Sequence, residues 1–317
     1  MRDDKSGKEV PAPPHPTERK QSLPGIAAGV GEDAEFESSN VSHIVHSQTY
    51  KTAIEDVEFL RSSQARGVRL QLDYLKPELL MQEHGVEHTI VVFGGTRITD
   101  EESSKRVVKE LEDLLQKSPN DTELQRKLGV ARRVEEKSRY YDIAREFSGL
   151  VARCGEGPGD SRLVVMTGGG PGVMEAANRG SSELGAKTIG LNITLPHEQL
   201  PNPYLTPELC FQFNYFALRK MHFMLRAKAL VAFPGGYGTM DELFETLTLI
   251  QTRKINPLPV VLVGEAFWRQ AVNMDFLVEE GVIDAEDRDL FWYAETAREI
   301  WSGLNLWYER AGGKLIP

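Results

Sequence analysis

The sequence predicts an α/β protein with a doubly wound parallel sheet flanked by helices. Three observations predict it. Short apolar runs rich in β-branched residues recur after Gly85, each ends at glycine or asparagine, and each is followed by a longer amphipathic stretch. That is the pattern of strands buried on both faces and joined by helical crossovers.

Taken in order, residues 1 to about 40 are rich in Pro, Gly, Ser and charge and poor in large apolar residues. Such a segment cannot offset its ordering entropy, so a disordered tail is expected. Residues 41–87 read as a helical extension. Tyr50, Ala53, Ile54, Val57, Phe59 and Leu60 form one apolar set, and Val68, Leu70, Leu72, Leu75, Leu79 and Leu80 a second, with Pro77 near the start of a further turn. From residue 88 to 317 strands are expected at 89–93, 163–166, 187–191, 229–233 and 258–263, with further candidates at 210–213 and 291–294. Short connections and right-handed crossovers make this a Rossmann-like domain. Between the first two strands lie about 70 residues. Their Glu-, Lys- and Arg-rich stretches, broken at Ser118-Pro119-Asn120-Asp121, predict a solvated helical hairpin inserted over about 100–147 as scaffold or partner surface.

The 317 residues carry a formal net charge of −10, which argues against a nucleic-acid partner because polyanion binding relies on clustered Lys and Arg. Cys154 and Cys210 are far apart and suggest neither a disulfide framework nor a zinc motif. The N-terminus has no apolar h-region, and no run approaches the roughly 18 apolar residues of a membrane span. A cytoplasmic protein with no membrane contact is expected.

Three glycine turns close predicted strands: Phe93-Gly94-Gly95-Thr96-Arg97, Thr167-Gly168-Gly169-Gly170-Pro171-Gly172 and Pro234-Gly235-Gly236-Tyr237-Gly238-Thr239. In an open parallel sheet these C-terminal ends share one edge, where ligands bind. Bare amides at helix starts there suit a phosphate. Thr239-x-x-Glu242 also spells a capping box, which would place Glu242 at the third helical position. No P-loop, G-x-S-x-G or H-E-x-x-H motif is present, and GGGPGV puts Val173 where a dinucleotide fingerprint needs its third glycine.

Arg219-Lys220, followed fourteen positions later by PGGYGTMDE, resembles the R-K…P-G-G-x-G-T-x-x-E signature of the LONELY GUY (LOG) family, whose members are often labelled lysine decarboxylase-like. GGGPGVMEAANRG is similar to that family's other glycine motif, and the resemblance covers about residues 88–310. It implies a phosphoribohydrolase that splits the N-glycosidic bond of a nucleoside 5′-monophosphate, AMP or a cytokinin ribotide, into free base and ribose 5-phosphate. It also implies a homodimer or larger oligomer with active sites near the subunit interface. By the same resemblance Arg219 and Glu242 form the catalytic pair. Gly235, Gly236, Gly238 and Thr239 hold the nucleotide, and Gly168, Gly169 and Gly170 line the same cleft. The tighter GGGPG turn, the long 98–147 connection and an N-terminal extension of more than 80 residues resemble the longer bacterial branch, so a cytokinin substrate does not follow.

The residues themselves fit this chemistry. Cleaving a glycosidic bond builds positive charge on the ribose, which a carboxylate can stabilise while it orients or deprotonates water. Arg219 offers a fixed fork of donors for phosphate or for a departing base, although helical arginines more often make structural ion pairs. Lys220 is auxiliary. Gly95, Thr96 and Arg97 are candidates at the first turn, where Arg97 either reaches phosphate or is solvated. Phe216 either stacks on a purine or joins the core. Asp241 competes with Glu242, but neighbouring helical side chains point about 100° apart, so only one is expected to face the cleft. The histidines show no metal spacing, and no metal or cofactor is expected. A non-catalytic nucleotide or cofactor carrier on the same fold is the alternative. A pyridoxal-dependent decarboxylase finds no support, because nothing marks a Schiff-base lysine.

Overall fold

A computed structural model describes residues 35–194 and 200–316. Most of the expected tail, residues 1–34, lies outside the described residues. Two compact units divide at Arg66/Gly67. The first carries α1 (Glu35–Val45) and α2 (Val57–Arg61), the latter capped by the Asp56 carboxylate, which accepts from the Phe59 amide at 2.9 Å. Helix α3 (Arg66–Glu83) runs almost wholly in the second unit. The unit boundary therefore falls before α3 and not at about residue 87, because Met81 and Val86 are buried in the core of the sheet domain.

The sheet unit continues β1 (His88–Phe93), α4 (Glu101–Lys117), α5 (Thr122–Glu135), α6 (Arg139–Ala152), β2 (Leu163–Thr167), α7 (Val173–Ser182), β3 (Thr188–Ile193), β4 (Cys210–Phe213) and α8 (Phe216–Leu225). It ends with β5 (Ala227–Ala232), α9 (Tyr237–Gln251), β6 (Val260–Val263), α10 (Glu265–Ala271), α11 (Met274–Glu279), β7 (Phe291–Ala294) and α12 (Ala297–Arg310). Seven strands stand in the order β4-β3-β2-β1-β5-β6-β7, and every neighbouring pair is parallel. All seven expected strands form. β6 starts two residues later than expected because Pro259 has no N–H for the ladder and contributes only its carbonyl, to the Leu230 amide at 3.0 Å.

Alternation along the strands sends Ile90, Val92, Val165 and Val231 to one face, against Tyr141, Phe147, Val173, Ile300 and Leu304 of α6, α7 and α12. Val91, Phe93, Met166, Leu191 and Leu230 face the other way, against Met81, Phe223, Leu243 and Trp268 of α3, α8, α9 and α10. Each such side chain contributes roughly 1.5–3 kcal/mol on burial, which is why continuous apolar runs are strands here and not alternating ones.

The insertion is shorter than expected. Helices α4 and α5 form the solvated hairpin, held by Arg132 on Glu112 at 2.8 Å. α6 belongs to the core, with Tyr140, Tyr141, Ala144, Phe147 and Val151 buried. No helix among the described residues is long and apolar enough to cross a membrane.

Candidate active site

The strand order reverses between β1, whose successors run outward through β4, and β5, which starts the other half. At such a switch point the loops leaving neighbouring strands diverge and open a crevice. Here the turns after β1 and β5 enclose a cavity of about 610 Å³ lined by Gly94–Ile98 on one side and Pro234–Thr239 on the other. Backbone bonds set their spacing, since the Gly95 amide donates to the Pro234 carbonyl at 2.9 Å and Phe233 donates to Phe93 at 2.8 Å.

Helix α9 starts earlier than a capping box would require. Gly236 is the N-cap with no side-chain cap, Thr239 is the third helical residue and Glu242 the sixth. The expected Thr239–Glu242 box is absent, because the glycine turn itself begins the helix three residues sooner. Gly235 must lack a side chain because Thr239 packs against it. Gly236 and Gly238 differ: a Cβ on either would meet nothing within 4 Å, and neither has positive φ. At Gly238, inside the helix, glycine costs about 1 kcal/mol relative to alanine. The cavity in front of an uncapped helix start is what these two glycines keep clear.

Glu242 is 5% exposed and lines the cavity. Burial pushes its carboxyl up to about 7, with Glu245 and Asp241 adding to the rise and the Lys220 and Arg219 cations opposing it. Arg219 lines the same cavity. Its Nε donates to the Leu191 carbonyl at 2.8 Å, and the guanidinium lies 5.4 Å from the ring centres of Phe216 and Phe223. A Cβ at Gly168 would stand 2.7 Å from Nη2, so that glycine makes room for the guanidinium. Burial lowers the Arg219 pKa and Glu242 opposes the fall.

Of the expected site residues, Gly95, Thr96, Arg97, Arg219, Gly235, Gly236, Gly238, Thr239 and Glu242 come together around the cavity. Gly168, Gly169 and Gly170 do not line it. Their turn follows β2, one strand from the switch point, and three of its polar groups bond internally: the Gly169 amide donates to Thr167 Oγ1 at 2.9 Å, while Asn202 donates to the Gly169 and Gly170 carbonyls at 2.9 and 3.0 Å. Lys220 stands behind the wall, paired with Asp241 at 2.9 Å and Glu245 at 2.8 Å. Asp241 and Glu242 both reach the cavity, Asp241 from its half-exposed rim. Phe216 is a lining residue, 48% exposed, and not core.

Sequence reasoning missed Lys137, Met174, Tyr237 and Phe267, which also line the cavity. Tyr237 and Met174 sit within the glycine motifs and could have been found there. Lys137 could not, because it comes from the link between α5 and α6, read as solvated surface.

Residues 174–304 match the family model described as "possible lysine decarboxylase". The cytokinin riboside 5′-monophosphate phosphoribohydrolase LOG3 of Arabidopsis thaliana is 30% identical over 188 residues, 56% of this chain and 82% of that enzyme. The chain belongs to the LOG family. LOG4 of the same plant is 31% identical over 142 residues, 43% of this chain and 64% of the relative. Among solved structures, the molybdenum cofactor carrier protein of Chlamydomonas reinhardtii covers 69% of this chain and 97% of its own, at 20% identity and a TM-score of 0.40. α3 and the α4–α5 hairpin of this LOG-family protein lie outside the segment that the family model matches.

Proposed function

We propose that the protein hydrolyses the N-glycosidic bond of a nucleoside 5′-monophosphate, releasing the free base and ribose 5-phosphate. One observation carries the reading: Arg219 and Glu242 line a single cavity whose far wall holds two glycines, Gly236 and Gly238, that neither packing nor backbone conformation requires. Its volume falls in the range of small-ligand pockets, about 300–1,000 Å³.

In this reading the phosphate lies over the start of α9, where uncapped amides and the helix dipole favour an anion. Arg97 and Lys137 line the same space, and neither forms an ion pair among the described residues; Lys137 donates only to the Arg133 carbonyl at 2.9 Å. The base lies toward Phe216, Met174 and Phe267. As the bond from C1′ to the base nitrogen stretches, positive charge grows on the ribose and the Glu242 carboxylate stabilises it. Glu242 takes a proton from water, whose oxygen bonds to C1′, and that proton passes to the departing base nitrogen while Arg219 donates to an acceptor atom of the base. A carboxyl held at about 7 is poised for this exchange near neutral pH. kcat/KM should then rise with pH through a limb near 7, as Glu242 becomes ionised.

The test is to incubate the protein with AMP, GMP, CMP, IMP and isopentenyladenosine monophosphate and assay free base and ribose 5-phosphate. Stoichiometric release of both from at least one nucleotide is expected. Nucleotides bound but unchanged throughout would replace the hydrolase with the carrier.

A further inference from the structure

We infer that α3, upstream of the segment that the family model matches, is a strap that holds α8 in place and thereby positions Arg219, with Asp73 as the principal positioning residue. The inference rests on the reading of Arg219 as an active-site group.

Helix α8 has no cap of its own. Its N-cap is Tyr215, whose side chain caps nothing, and no acidic residue occupies its first turn. Asp73 of α3 anchors the entry to the helix instead, its Oδ2 receiving the amides of Asn214 and of the N-cap Tyr215, each at 2.9 Å. Arg69, one turn earlier on α3, donates Nε to the Tyr215 hydroxyl at 3.0 Å. Further along, His222 Nε2 lies 3.1 Å from the Tyr74 carbonyl, its ring packed between Tyr74 and Phe213 at 5.3 Å from each. Beyond the far end of α8, Arg226 forms a two-pronged pair with Glu78, 2.6 Å at the second contact, with both side chains mostly buried.

These contacts fall at both ends and the middle of a ten-residue helix, all from α3. The side chains between them that face the cavity are Phe216 and Arg219. Among the described residues the Arg219 side chain makes one hydrogen bond, from Nε to the Leu191 carbonyl. A small rotation or slide of α8 therefore moves the guanidinium relative to Glu242. A carboxylate that grips the helix entry from 141 residues away in sequence fixes the register of α8 as a local cap could not.

The test compares Asp73→Ala with Asp73→Asn in the full chain, each assayed well below its own unfolding midpoint. Asparagine keeps an oxygen that can accept the two amides, and alanine does not. Asp73→Ala is expected to lower kcat about tenfold with KM within twofold. It should also shift the acid limb of the rate upward, because the Arg219 cation that helps hold the Glu242 proton affinity down is no longer fixed beside it. Asp73→Asn should restore kcat to within about twofold and return the limb. A residue that merely stabilises the fold would change the unfolding midpoint and leave the limb where it is. A folded Asp73→Ala protein with wild-type kcat and an unmoved limb overturns the strap, as does an Asp73→Asn protein as impaired as the alanine variant. Should Asp73→Ala not accumulate folded, Asp73→Ser, which keeps a shorter acceptor, is measured the same way with an intermediate loss expected and an unaltered rate contradicting the inference. If the wild-type protein cleaves no nucleotide, the hydrolase reading fails by itself. The strap is then read from amide hydrogen exchange across residues 214–219, expected at least tenfold faster in Asp73→Ala, and unchanged exchange would end it.

Discussion

The turns after β2 and β5 look alike in sequence: each closes a parallel strand with a run of glycines and opens a helix. The structure uses them for opposite purposes. After β5, Gly236 and Gly238 face open space beside Glu242. After β2, Gly169 and Gly172 have φ of +73° and +74° and are closed in, Gly169 by the Asn192 amide and Gly172 by the backbone of Gly95 and Thr96. At the helix start behind them, α7, the Val173 amide donates to the Gly95 carbonyl at 3.2 Å. Glycine serves conformation and close packing in one turn and leaves open space beside the cavity in the other. Strand order decides which is which, because only the β1 and β5 turns flank the switch point.

Substitutions can break this comparison, and the largest effect belongs to Glu242. Glu242→Gln keeps the shape and removes the titration, and turnover should fall by about 10²–10⁴-fold. The same variant should be more stable than wild type at high pH. Below about 4.5 the carboxyl is protonated in folded and unfolded chains alike, so nothing is gained. As pH rises toward 7 the folded state keeps a proton that the unfolded chain releases, and stability drains away until the native carboxyl ionises too. Above that point the full cost stands, about 3 kcal/mol. Thermal melts at pH 5 and pH 8 check the sign: a midpoint gain for Glu242→Gln at pH 8 that shrinks at pH 5.

Next in size is Gly169→Ala. Left-handed backbone and overlap with Asn192 together should cost about 3 kcal/mol, read as a lowered unfolding midpoint, with KM per folded molecule unchanged. Gly238→Ala should do the reverse. Its Cβ meets no protein atom, so stability should hold or rise by about 1 kcal/mol, while KM for the nucleotide climbs roughly tenfold, about 1.4 kcal/mol of lost binding. Equal behaviour of the two alanine variants would erase the distinction between the turns. The smallest effect is assigned to Lys137→Ala: a few-fold higher KM for the monophosphate that fades with added salt, as expected for a partly exposed charge, and no change in kcat.

The sheet was legible in the sequence because strands covered on both faces must be apolar at every position, and Ile90, Val91 and Val92 show this directly. α6 was misread because Arg145 and Glu146 sit beside Ala144 and Phe147, and composition averages over a helix whose buried face is set by spacing. That Arg219 and Glu242 line one cavity was legible through the motif, yet Thr239 was mistaken for a cap because S/T-x-x-E fits wherever a helix happens to begin. The strand order, and with it the dismissal of Gly168–Gly170 from the cavity, is a global property that no local run encodes. The contacts of Asp73 with α8 escaped for the same reason, since they join residues that only the fold brings together.

A crystal structure of Glu242→Gln soaked with AMP, or with whichever monophosphate the wild-type protein cleaves, addresses the central claim most directly. The account predicts phosphate oxygens against the amides of Gly236 to Gly238 and the sugar's C1′ beside residue 242, with Arg219 on the base. Phosphate seated instead against Gly168 to Gly170, or a sugar lying away from residue 242, would contradict it.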